Sequence, residues 1–241
     1  MLSRTTLALL LGAGITASTA HEPEVVVRFD PSGVVEVPQH VREVVRATAA
    51  EVARSVDDLL SGLGERVRVT VVTIDRDLIS VGGVAGRADA PGEVLVELSA
   101  AYPGGLDEAV RAGLRSVLYH EFHHLVRGWT IRENRFGPGI PNAVVNEGLA
   151  SVFAETYSGA HFERFDYPEN AAEWLDELLG LPVDADYNTW MNEHPDGRVA
   201  MGYRTGRYVV HEALRRSGLS VLELSELSPE RVLALAMEPA G

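Results

Sequence analysis

Five consecutive residues, His120-Glu121-Phe122-His123-His124, set two histidines four positions apart with a glutamate directly after the first. On an α-helix, positions four apart lie one turn above each other with Cβ atoms roughly 5–6 Å apart, so His120 and His124 leave from one face. That is a chelating pair for one metal ion. Zinc prefers four ligands and accepts imidazole nitrogen at about 2.0–2.1 Å, so two such histidines fill two corners and leave room for water. Glu121 lies about 100° further around the helix axis, where it reaches water at the metal without being a ligand itself. The spacing describes a hydrolytic site.

The flanks support the helix this reading needs. Leu106, Val110, Leu114, Val117, Leu118, Leu125 and Val126 recur at helical intervals. Asp107 and Glu108 suit the positive start of a helix dipole, and Arg127 followed by Gly128 suits its end.

Composition then narrows the function classes. The net charge is −14 and every cation is arginine, because the chain contains no lysine. Nucleic acids and anionic membrane surfaces require clustered positive charge, so neither is an expected partner. The absence of cysteine excludes a disulfide framework and cysteine catalysis. Residues 1–20 read as an export leader, with Arg4, the apolar run Leu7–Ile15 and the small residues Ala17-Ser18-Thr19-Ala20. Cleavage after Ala20 leaves a mature domain of residues 21–241, secreted or periplasmic, with no stable membrane insertion.

Along that domain, Glu24–Phe29 predicts a short strand. Residues 38–63 predict a helix with one apolar stripe through Val41, Val44, Val45, Ala49, Val52 and Val56, stopped by Gly62 and Gly64. Val67, Val69 and Val71 alternate with polar residues, as do Val94, Val96 and Leu98, giving two strands with one buried face each. Val81–Gly86 is a glycine-rich strand candidate, and Asp89-Ala90-Pro91-Gly92 a turn. Further helices are expected at 142–157, 170–179, 187–194, 202–218 and 228–236. The expected fold is α+β, with a small sheet-containing N-terminal lobe and a mostly helical C-terminal lobe.

A third ligand has two possible sources. A metzincin needs glycine and histidine three and six residues after His124, and those positions hold Arg127 and Thr130. A glutamate from a following helix is the other source, and Asn146-Glu147-Gly148-Leu149-Ala150 supplies one. With this segment the chain resembles the gluzincin-type zinc metallopeptidases, and most closely a family of small predicted zinc-dependent proteases of unknown substrate. The resemblance is strongest over residues 80–210. It implies that Glu147 is the third metal ligand and that the Tyr203-Arg204-Thr205-Gly206 segment gives a tyrosine hydroxyl, Tyr203, to the reacting carbonyl. It also implies that an edge strand, Glu93–Leu98 or Val81–Gly86, borders the substrate cleft. Ser151 is a candidate partner for the far nitrogen of a ligand histidine, Glu155 lies two turns beyond Glu147, and His123 points away from Glu121 towards packing.

The function that follows is an exported Zn²⁺ peptidase acting on a peptide or protein, with His120, His124 and Glu147 as metal ligands and Glu121 as general base. Endopeptidase action is favoured because the Gly-Ala-Met-Glu-Asn segment that reads a free substrate amine in the aminopeptidases is absent. The alternatives are a zinc hydrolase of a non-peptide amide or ester, and a protease-like binding protein without turnover. The intact Glu121 argues against the second.

Overall fold

The valine alternation of the first third of the chain builds a small sheet, and the long apolar stripe between its strands builds the helix that covers it. In a computed structural model, residues 22–238 are described; the expected export leader and its cleavage point lie outside them. The chain enters along β1 (Glu24–Phe29) and crosses over through α1 (Gln39–Leu60). Val41, Val45, Ala49, Val52, Ala53 and Val56 are α1's buried face, whereas Val44, expected in the same stripe, is about half exposed. The helix stops at Leu60, short of the expected Leu63, and Leu63 instead plugs the core from the loop.

β2 (Arg66–Ile74), β3 (Val84–Ala90) and β4 (Glu93–Ser99) complete a four-stranded sheet in the order β1-β2-β4-β3. β2 pairs in parallel with β1 and β4, and β3 folds back antiparallel on β4. β4 is therefore interior, which rules out Glu93–Leu98, one of the two candidates for the strand bordering the cleft. The edge is β3. Alternation could not separate the two, since both strands bury one face on the same core. The strand also runs on through Ala90, so the turn shrinks to Pro91-Gly92, and Val81 belongs to a 3₁₀ turn before it.

The helix carrying the histidines is one rod in three parts: α2 (Gly105–Ala109), a π turn at Val110–Leu114, and α3 (Arg115–Arg127). The wide turn coincides with a close approach, since a Cβ on Gly113 would lie 2.7 Å from the Gly82 carbonyl oxygen. α3 ends at Gly128, whose φ of +73° suits glycine, and the Trp129 N–H bonds back to the His124 carbonyl at 3.0 Å.

The C-terminal part is helical around α4 (Ile140–Ser158), which is apolar on nearly every side and buried from Ala143 to Ala154. α5 (Ala171–Leu179), a π turn at Asn188–Asn192 in place of the expected longer helix, α6 (Met201–Ser217), α7 (Val221–Ser225) and α8 (Pro229–Met237) complete it. The fold is α+β, a small sheet followed by a helical part, and the two share one continuous hydrophobic core. Among the described residues no helix is long and apolar enough to cross a membrane.

Candidate metal centre

α3 lies between the sheet and α4, so its different faces serve different neighbours. His123 takes the α4 side: it is fully buried, stacks on Phe153 with ring centroids 5.0 Å apart, and its Nε2 meets Ser225 Oγ at 2.9 Å. Its packing role agrees with the sequence reading. His120 and His124 turn into the cleft. Their Nε2 atoms are 2.9 Å apart, and Glu147 Oε2 on α4 lies 3.1 Å from the first and 3.3 Å from the second.

These three atoms form a small triangle. Donors bonded tetrahedrally at about 2.0–2.1 Å lie about 3.3 Å from one another, so the set suits one zinc-sized ion with a corner to spare. The donor chemistry agrees, because neutral imidazole and carboxylate are ordinary zinc ligands. Two buried polar atoms beside the triangle, Glu121 Oε2 and His124 Nδ1, have no hydrogen-bond partner. Ser151, the suggested partner for a ligand ring, lines the cleft instead.

Burial makes the charges interdependent. Glu121 is pushed up to about 8 by desolvation, opposed by His120 and reinforced by the nearby Glu147 carboxylate. Glu147 is also penalised by burial, but His124 and the hydrogen bond from His120 outweigh it and hold its carboxyl well below the usual range. Burial drives His123 and His124 down. It acts on His120 too, yet the Glu147 hydrogen bond and the Glu121 charge leave that ring raised.

The second oxygen of Glu147 is engaged from outside the triangle. Glu147 Oε1 accepts from the Trp129 indole Nε1–H at 3.0 Å and from the Tyr187 hydroxyl at 3.3 Å. Neither residue was found by the sequence reading. Trp129 had a signal, an aromatic with a polar tip straight after the helix-stopping Gly128; Tyr187 had none. Tyr203 stands at the same place from α6, its hydroxyl against that of Tyr187, and burial followed by the Glu147 charge raises its pKa, so it stays protonated. Tyr208, His211 and His194, also on or near this stretch of chain, lie elsewhere: Tyr208 and His211 pack edge-on against Tyr167, and His194 packs against Trp190.

Two glycines bring Tyr203 and Glu147 together. A Cβ on Gly148 would fall 2.3 Å from the Gly206 backbone, and one on Gly206 would fall 2.2 Å from the Val144 carbonyl oxygen. α4 and α6 therefore cross with backbones in contact, next to Glu147 on one helix and one turn after Tyr203 on the other. On the opposite wall, a Cβ on Gly86 of β3 would lie 2.6 Å from Val117 and 2.7 Å from Glu121 Cγ. The edge strand can approach the glutamate only because position 86 has no side chain.

The site opens on a cleft of about 1150 Å³. Its floor is one face of α4, with Ile140 and Ala143 on one side of Glu147 and Ser151, Ala154 and Glu155 on the other. Val84 to Ala88 of β3 form a wall. Glu155 does not join the donor set; it pairs with Arg207 at 2.5 Å and His161 at 2.9 Å.

Residues 47–234 match the profile of a family described as predicted Zn-dependent protease (DUF2268). No curated protein and no solved structure matches the chain.

Proposed function

The chain belongs to this family of predicted Zn-dependent proteases, and from that membership we propose that it is a zinc-dependent endopeptidase. The observation that carries the reading is the convergence of His120, His124 and Glu147 on one point, beside a buried Glu121 oxygen that has no partner. Held by those three residues, zinc supplies Lewis acidity, polarising a carbonyl and lowering the pKa of water towards about 7.

The chain's own groups do the rest. Glu121 takes the proton of the attacking water as the C–O bond forms, and returns it to the amide nitrogen as the C–N bond breaks. Tyr203, kept protonated by burial, donates to the carbonyl oxygen as negative charge grows there. β3 offers its free edge to an extended substrate backbone. The Ala88 carbonyl is already taken by the Ile131 N–H at 3.0 Å, so the stretch left for pairing centres on Val84–Gly86. A cleft whose floor continues on both sides of Glu147 suits a chain passing through rather than a terminus held at a closed end.

Digestion of an unfolded protein substrate, with fragments mapped by mass spectrometry, tests this. Internal cuts that stop with a chelator and with Glu121→Gln are expected. Removal of terminal residues alone would overturn endopeptidase action, and no cleavage by zinc-loaded protein would overturn the peptidase reading.

A further inference from the structure

Glu147 differs from the two histidines in one respect: it has a second atom able to bind the same cation. A carboxylate that closes on a metal with both oxygens takes two coordination positions, and the second would be lost to water or substrate. In this chain that oxygen is occupied. Trp129 Nε1–H and the Tyr187 hydroxyl both approach Oε1, at 3.0 and 3.3 Å, while Oε2 alone faces the histidines. We infer that Trp129 and Tyr187 are positioning residues, a two-donor clamp that keeps Glu147 a one-oxygen ligand and so keeps a coordination position open.

The two donors are fixed by different means. Indole nitrogen can only donate, so the Trp129 bond has a single polarity. Its backbone is tied to the ligand helix, because the Trp129 N–H bonds the His124 carbonyl across the Gly128 stop. The clamp on the third ligand is thereby anchored to the end of the helix that carries the first two. Tyr187 comes from the other direction, at the start of the π turn Asn188–Asn192; the residue is 40% exposed, and its hydroxyl points inward to Glu147 Oε1 and the Tyr203 hydroxyl. Groups that orient a ligand in this way typically change metal affinity by about 10–100-fold when removed.

The inference rests on the zinc reading, and its test separates the two. Zinc dissociation constants are measured by chelator competition for wild type, Trp129→Phe, Tyr187→Phe and the double variant, with visible absorption of the cobalt-loaded forms as a second readout. Each single change should weaken zinc by about tenfold and the pair by about a hundredfold. The cobalt bands should weaken as the freed carboxylate closes on the ion and raises its coordination number. Wild-type affinity and an unchanged cobalt spectrum in the variants, with wild type binding zinc, would overturn the clamp alone. Wild type that binds no zinc would overturn both. If Trp129→Phe does not fold, Tyr187→Phe decides, since it removes one oxygen from a partly exposed ring.

Discussion

Glu121 and Glu147 are both buried carboxylates within reach of His120, yet their surroundings assign them different work. Glu147 directs one oxygen at two imidazoles, whereas Glu121 keeps Oε2 without a partner. Glu147→Ala should therefore lose most bound zinc, while Glu121→Gln should keep it and lose turnover by about 10²–10⁴-fold. Metal analysis and kcat on the two purified variants check this, and zinc retained at full level in Glu147→Ala would refute the ligand assignment. Tyr203→Phe should lower kcat by roughly a hundredfold or more with KM and zinc nearly unchanged, because the carbonyl oxygen carries its charge mainly in the transition state. An unchanged kcat with a lower Tm would reassign Tyr203 to packing against Phe165, whose ring lies 5.7 Å away. His120, Glu121 and His124 were legible in the sequence because a helix converts spacing of one and four residues directly into geometry. Tyr187 was not, because it reaches Glu147 across 40 residues from an irregular turn, and no local pattern encodes that return.

The contact between α4 and α6 sets the distance from Glu147 to Tyr203, and it depends on two missing side chains. Gly206→Ala would put a methyl 2.2 Å from the Val144 carbonyl oxygen, and neither backbone can yield without separating the helices. A loss of roughly 1–3 kcal/mol is expected, read as a lower denaturation midpoint, together with lost activity as Tyr203 moves away. The last turns of α6 give a separate, pH-dependent prediction. Glu212 bonds Arg215 at 2.7 Å and Arg216 at 2.8 Å, and the hydrogen bond from Arg215 leads in holding its carboxyl down to about 2. Because the folded pKa lies below the ordinary value of 4.5, the stabilisation is complete above about pH 4.5 and is lost as pH falls towards 2. Melting curves of wild type and Glu212→Gln should thus differ at neutral pH and converge near pH 2. α1 was readable because one buried stripe repeats at 3.6 residues. The lateral order of strands was not, since β3 and β4 each bury one face and only the fold-back of β3 on β4 decides which is the edge. The π turn inside the histidine-bearing rod was equally invisible, as one added residue barely disturbs an apolar stripe.

The donor triangle joins parts of the chain that fold around different neighbours. α3 brings His120 and His124 from against the sheet and α1, while α4 brings Glu147 from the centre of the helical part. A cation there would be a crosslink between them, and it would relieve a cluster in which Glu121 and Glu147 sit out of water beside the His124 ring, which burial drives towards its neutral form. Metal that binds the folded chain and not the unfolded one stabilises by about 4 kcal/mol at a thousand times its Kd. For a chain of this size each kcal/mol moves Tm by roughly 2–4 °C, so a chelator should lower the Tm of the zinc-loaded protein by about 8–16 °C. Glu147→Ala supplies the control. With one corner of the triangle gone, its Tm should fall below that of zinc-loaded wild type and respond little to the chelator. A chelator shift of equal size in both proteins would mean that the stabilising metal sits somewhere other than between α3 and α4.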